Sequence, residues 1–226
     1  MPTRRTEEDV MAVPTIDGFK AEAARVGVTG RIDIGSLESA VLPHDMSNLP
    51  TSGAGGYTNL GYISDDGVTE GRDEDNQEFV PWQENSAIRY EITKSVVTFE
   101  FTLWQSTLAT AGFYYGVSID DMFKNADGSV FFDESGKPDV KQHKLVLTVV
   151  DGSRARRTCL AAAQVTERGE ITYKSDEMIG YNVTVTGFPG LDAPEGKELS
   201  SRRIFMEGWD TTGIDDYTPP TPPETP

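Results

Sequence analysis

Two histidines, His44 and His143, and a single cysteine, Cys159, are all the imidazole and thiol chemistry the chain offers. The histidines stand about 100 residues apart. A histidine metal site or a Ser-His-Asp arrangement needs several such groups converging on one point, so surface or structural roles suit both better. Cys159 lies in Arg157-Thr158-Cys159-Leu160-Ala161, an apolar, strand-like context. A nucleophilic thiol needs an adjacent base or an electropositive neighbourhood, and this setting predicts a buried, inert one. Between Phe123 and Glu134 a partial calcium loop can be traced, with Asn125, Asp127, Gly128 and Glu134 in the third, fifth, sixth and twelfth places. Its first place is Phe123, where a hard cation requires an oxygen ligand, and a turn-containing loop is the better account. The acidic run Asp65, Asp66, Glu70, Asp73, Glu74, Asp75 and Glu78, opposed only by Arg72, could supply paired carboxylates for acid and base chemistry. That chemistry needs one carboxylate desolvated in a cleft, and no apolar surround accompanies the run. So many like charges must be solvated, paired with a neighbour's cations, or turned toward a lumen. The residues therefore predict no catalytic residue, metal or cofactor.

A chain of 226 residues suffices for one domain with extensions. Lys and Arg total 20 against 37 Asp and Glu, a formal charge of −17. Such a surface does not grip phosphates by counterion release, although an acidic wall beside DNA would let a duplex slide past. With one cysteine, no intrachain disulfide is available. The start, Met1-Pro2-Thr3-Arg4-Arg5, leads into acidic residues without the apolar run of a signal peptide. No stretch approaches the roughly 18 apolar residues of a membrane span. A cytosolic site of synthesis and no membrane insertion are the expectations.

Residues 1–56 have scattered apolar positions, Pro14, Pro43 and Pro50, and a glycine-rich end, and are expected to form an extended N-terminal arm, with disorder as the other possibility. A short helix around Gly18 to Val26 is possible within it, from the spacing of Phe19, Ala23 and Val26. From Tyr57 to Trp209 the pattern is that of a mainly β domain, with turns expected at Asp66-Gly67, Asp127-Gly128 and Asp151-Gly152. Alternation is clearest where Val97, Phe99, Phe101 and Leu103 oppose Thr98, Glu100 and Thr102, and where Ile179, Tyr181, Val183 and Val185 oppose Asn182, Thr184 and Thr186. Leu145, Leu147 and Val149 make a third set. Ser106 to Tyr115, stopped by Gly116, is the expected helix. Residues 118–142 read as a long loop with a small hairpin near Val130 to Phe132. Residues 210–226 form a C-terminal extension whose last nine residues hold five prolines.

Four stretches carry a family likeness: Asn59-Leu60-Gly61-Tyr62-Ile63-Ser64-Asp65-Asp66-Gly67-Val68, Ile88 to Leu103 with Thr98-Phe99-Glu100-Phe101-Thr102-Leu103, Gln164-Val165-Thr166-Glu167-Arg168-Gly169, and Ile179-Gly180-Tyr181-Asn182-Val183-Thr184-Val185. In order and texture the chain resembles the major tail proteins of long-tailed bacteriophages, especially those infecting actinobacteria. The resemblance implies an antiparallel β-sandwich or barrel-like domain with one flanking helix. It also implies a non-enzymatic virion protein whose copies, six to a ring, stack into a tail tube for the genome. Arms, long loop and C-terminal extension would bridge subunits. Tape measure and tail terminator would be partners, and DNA would pass only transiently.

On that footing, Thr98, Glu100, Thr102, Asn182, Thr184 and Thr186 are the expected lumen face, the other possibility being that they meet solvent or a covering helix. Arg154, Arg156 and Arg157 are expected at subunit interfaces opposite Asp73, Glu74 and Asp75, with ordinary exposed charges at strand ends as the alternative. Arg202 and Arg203 form the other basic concentration and share that expectation. A different class of function, a monomeric carbohydrate-binding or adhesin-like sandwich, would use Trp82, Trp104 or Trp209 as a sugar platform. It leaves the arm, the long loop and the tail unexplained.

Overall fold

In the computed structural model, residues 19–53, 55–136, 141–192 and 197–218 are described. In chain order they form strands β1 (Thr29–Ser36), β2 (Tyr57–Asn59), β3 (Ile63–Phe79) and β4 (Arg89–Leu103), then helix α1 (Leu108–Tyr115). A small hairpin follows, β5 (Phe123–Lys124) and β6 (Val130–Phe131), then β7 (Gln142–Asp151), β8 (Arg154–Arg168) and β9 (Tyr181–Phe188). Short strands β10 (Gly190–Asp192), β11 (Lys197–Leu199) and β12 (Ser201–Met206) complete the order. The fold is mainly antiparallel β, built on one open sheet in the order β2-β1-β7-β8-β9-β4-β3, with β12 also paired to β8.

Alternation explains the central ladder. Val97, Phe99, Phe101 and Leu103 of β4, and Val183 and Val185 of β9, are buried on the side where Ile32, Leu145, Leu147 and Leu160 meet them. A second apolar cluster, holding Ala40, Leu42, Tyr57, Val146, Cys159 and Ala161, is built on the alternate residues of β7 and β8. A fully buried Leu or Phe contributes roughly 1.5–3 kcal/mol, whereas an exposed ion pair contributes about 0–1 kcal/mol. The core therefore holds the sheet, and the charges on its outer faces are available for other work.

The helix begins where Thr107 accepts the Thr110 amide at 3.2 Å and ends at Gly116 in the left-handed region, φ 75°. It is anchored by the buried Thr110 hydroxyl, which donates to the Leu60 carbonyl at 3.0 Å, and by Phe113 and Tyr114 in the core. The Asp151-Gly152 turn joins β7 to β8, whose ladder opens with Asp151 opposite Arg154. Asp127-Gly128 turns the β5-β6 hairpin.

Three expectations are corrected. Within the arm expected over 1–56, residues 29–36 are instead strand β1, which pairs along its whole length with β7, and Ile32, Ala40 and Leu42 are fully buried. The arm's first eighteen residues lie outside the described ones. The helix foreseen at 18–26 is one turn, Ala21–Ala23, with Phe19 and Val26 exposed, since no apolar surface among the described residues packs on it. Asp66-Gly67 does not reverse the chain. It sits within β3, where the β4 register shifts between Ile63 and Val68, Gly67 taking φ 74°. The acidic run 65–78 is accordingly a strand, paired with β4 out to Phe79 opposite Arg89. Beyond Val97, which faces Gly187 of β9, β4 has β3 as its only partner among the described residues. The outer halves of β3 and β4 thus project as a two-stranded ribbon, and eight residues at strand spacing give it a reach of roughly 25 Å.

Candidate functional site

The six residues expected on one polar face come together. Thr98 stands opposite Thr186, Glu100 opposite Thr184, and Thr102 opposite Asn182. Asn182 donates to the Thr102 hydroxyl at 3.1 Å. Their neighbours extend the face in both directions. On β8, Gln164 faces Thr186 and Glu167 faces Thr184, and a bulge between them brings Thr166 to 2.9 Å from the Thr186 hydroxyl. On β3, Thr69 faces Glu100, and Gly71 faces Thr98 so closely that a Cβ there would meet the Thr98 hydroxyl at 2.7 Å. Asp73 and Asp75 continue the same side, and Asp73 pairs with Lys94 at 2.5 Å. That contact raises the Lys94 ammonium above its ordinary value.

The result is a surface of hydroxyls, amides and carboxylates, four-stranded and backed by the hydrophobic core around Thr98 to Thr102 and continued onto the ribbon by Asp73 and Asp75. Its carboxylates Glu100, Glu167, Asp73 and Asp75 outnumber the ammonium of Lys94. Hydroxyls hydrogen-bonded to one another across strands are held in register, and a surface of that kind offers weak, sequence-independent contacts and no phosphate grip.

The basic residues expected at an interface are placed differently from one another, and among the described residues none of them meets Asp73, Glu74 or Asp75. Arg157 is buried, donating to the Thr148 hydroxyl at 3.0 Å and to the carbonyls of Asp45 and Ser47 at 2.8 and 3.1 Å. Its charge is used inside the fold because the loop after β1 crosses the start of β8. Arg156 donates to Glu207 at 2.8 Å and lies over the Phe205 ring. Arg25 donates to the other oxygen of Glu207 at 2.7 Å, and these contacts, Arg25's first, hold the Glu207 carboxyl below its usual range. Arg154 is half-buried beside them, against Gly208. Arg202 reaches the carbonyls of Leu42 and Pro43 and the ring of His44, and Arg203 pairs with Glu70. Glu74 holds the Ser95 hydroxyl at 2.9 Å, with Arg72 3.5 Å away.

No group of three or more His, Cys, Asp or Glu able to hold a metal occurs among the described residues. At the partial calcium loop, Asp127 accepts from the Ser129 amide and hydroxyl at 2.9 and 2.7 Å and serves its own turn. His143 packs its ring against Phe113, and burial pushes its pKa below 6.5. Cys159 is fully buried. The tryptophans make no platform: Trp82 is at the ribbon's end, Trp104 is half-buried beside Gly180, and Trp209 rests on Phe205. Sequence reasoning missed Thr69, Gln164, Thr166 and Glu167. The polar alternates of β3 and β8 were the available signal, obscured by the register shifts in both strands.

The described residues thus form an open antiparallel sheet with a continuous polar face on one side and the core on the other. Comparison with known proteins makes this specific. Residues 17–197 match the model of the phage tail tube protein family, and the chain belongs to that family. It is a structural, non-enzymatic component of the virion. No curated protein matches the sequence. Among solved structures, a chain of the anti-feeding prophage (AFP) baseplate, determined by cryo-electron microscopy and 6-fold symmetrised, is similar at 9% identity with a TM-score of 0.36. The match covers 86% of this chain and 97% of that one. No helix among the described residues is long and apolar enough to cross a membrane.

Proposed function

We propose that copies of this chain close into rings, six to a ring, and that the rings stack into the tail tube of a long-tailed phage, of the kind that infects actinobacteria. The genome passes through the bore transiently, and the tape measure and tail terminator are the other partners. The face of Thr98, Glu100, Thr102, Asn182, Thr184 and Thr186 lines that bore. The observation that carries this reading is the assembly of these six residues into three cross-strand pairs on one side of the sheet, with the core on the other. A wall of threonines and carboxylates repels phosphates and lets a duplex slide. Ring closure also disposes of the sheet's two open edges, which would otherwise invite uncontrolled pairing.

Negative-stain electron microscopy across a concentration series tests the proposal. Hollow tubes or rings are the expected result, with six-fold class averages. Solid fibres without a bore, or a species that stays monomeric even with tail-initiation components present, would overturn it.

A further inference from the structure

Two stretches far apart in the chain, residues 24–28 before β1 and residues 207–210 after β12, meet beside the turn between β7 and β8, and one carboxylate stands between them. Glu207 is buried. One of its oxygens accepts from Nε of Arg25 at 2.7 Å, and the other accepts from Arg156 of β8 at 2.8 Å. A carboxylate out of water is tolerated only while its charge is paired and its oxygens are hydrogen-bonded. The two pairs are unequal. The Arg25 side chain is 18% exposed and that of Arg156 48%, so water and salt screen the second pair more than the first. The buried position of Glu207 therefore depends chiefly on Arg25, 182 residues earlier in the chain.

The β7-β8 turn touches each stretch a second time. Asp151, the last residue of β7, accepts the Val26 amide at 3.3 Å. Arg154, opposite Asp151 in the ladder, packs against the other stretch: Gly208 takes φ 69°, and a Cβ there would meet the Arg154 guanidinium at 2.6 Å. The next residue, Trp209, rests on Phe205, over whose ring Arg156 also lies. The place of Glu207 is thereby tied to the course of the chain that follows it. Apolar packing adds little at either end, since Phe19, Val26 and Val28 before β1, and Trp209 and Ile214 after β12, are exposed. Segments with so few buried apolar contacts lie at the low end of local stability, and the polar junction decides whether they are ordered.

We infer that Glu207 is a latch coupling these two stretches, so that loosening one loosens the other. When Arg25 withdraws, Glu207 keeps the more exposed of its two pairs and moves toward water, lifting Gly208 and Trp209 from Arg154 and Phe205. When the chain after β12 is displaced, the carboxylate leaves Arg25, and residues 24–28 lose a buried tie to the sheet. Coupling of this kind is reciprocal. A partner that takes hold of the chain before β1 thus changes the order of the chain after β12, and the converse, without movement in the packed β7-β8 pair between them. The latch belongs to the single chain and stands independently of the ring-forming reading.

Backbone order parameters from NMR relaxation of the dilute full chain test this, read at residues 24–28 and 207–210. Arg25→Gln acts on the first stretch, Gly208→Ala on the second, and Glu207→Gln at the junction with the side chain's shape kept. In the unaltered chain both stretches are expected to be rigid, with order parameters of about 0.85. Each variant is expected to bring both stretches below about 0.6, while β7 and β8 keep their original values. Arg25→Gln that frees residues 24–28 and leaves 207–210 rigid would overturn the inference, as would a Gly208→Ala effect confined to 207–210. So would an unaltered chain in which either stretch is already mobile. Should Gly208→Ala fail to fold, the two glutamine variants, which place no side chain in a left-handed backbone, decide the matter. Both stretches loosened in both variants would uphold the latch, and one stretch alone, or neither, would overturn it.

Discussion

Arg157 of β8 stands opposite Thr148 of β7 and donates to its hydroxyl at 3.0 Å, while the rest of its guanidinium holds two carbonyls of the loop after β1. A buried cation of this kind acts as a rivet. Removing it strands the Asp45 and Ser47 carbonyls at a cost of about 3 kcal/mol. Arg157→Ala is expected to lower the melting temperature by on the order of 10 °C, and Arg157→Glu to prevent folding, as read by circular dichroism. Arg156→Glu, at a more exposed position, is expected to leave a folded chain. A fully folded Arg157→Glu chain would show that the rivet is dispensable.

Charge reversal on the polar face should change what the face does to DNA. Glu100→Lys combined with Thr184→Lys places two cations opposite each other in the β4-β9 ladder. Native assemblies are expected to retain no duplex DNA at low salt. The variant is expected to retain it and release it as salt rises, the signature of counterion release. Equal retention by both, measured by co-sedimentation, would remove this face from the bore.

Acid should weaken the fold in two steps. The His143 pKa is lowered by burial, so as pH falls below 6.5 the unfolded chain takes up a proton that the folded one resists, and stability declines until the lowered folded value is passed. The Glu207 carboxyl is lowered by Arg25 and Arg156, so its contribution is complete above the usual 4.5 and is lost as pH falls through the lower folded value. Urea unfolding at a series of pH values should show both limbs. His143→Phe is expected to flatten the upper limb, and Glu207→Gln the lower.

Helix α1 depends on its ends. Thr107→Ala removes the amide acceptor and is expected to cost about 1 kcal/mol. Gly116→Ala forces a β-carbon into the left-handed region, again at about 1 kcal/mol. Because α1 closes one side of the core, both losses should appear as reduced global stability in denaturant titrations rather than as local fraying.

The helix and the β4 and β9 strands were legible because each pairs a buried face with a more polar one at the right period, and β7 because Leu145, Leu147 and Val149 alternate, although Val146 on its other side is buried as well. Strand β1 was hidden. Its Thr-Gly-Arg-Ile-Asp-Ile-Gly sequence offers two isoleucines between glycines and charges, and Asp33 is buried only because Arg31 and Asn59 hold it. Gly35 reads as a breaker, yet a Cβ there would meet Ala40 at 2.7 Å and Tyr57 at 2.9 Å, so close packing requires the glycine. The acidic β3 was equally opaque, since its partner strand and not its own residues supplies the apolar side. The polar faces of β4 and β9 could be named from alternation, but their juxtaposition is a property of the ladder. Arg157 looked like surface charge because nothing local announces the loop that covers it.

Strands β7 and β8 are packed on both sides, with Leu145 and Leu160 in one apolar cluster and Val146 and Cys159 in the other. They open last when the molecule breathes, and the ribbon and the β4-β9 part of the polar face lie outside this doubly covered pair. Stability and surface therefore reside in different parts of the sheet. Residues on the ribbon and the polar face can drift through many substitutions under selection for new contacts, while the hidden hairpin passes on the fold almost unaltered.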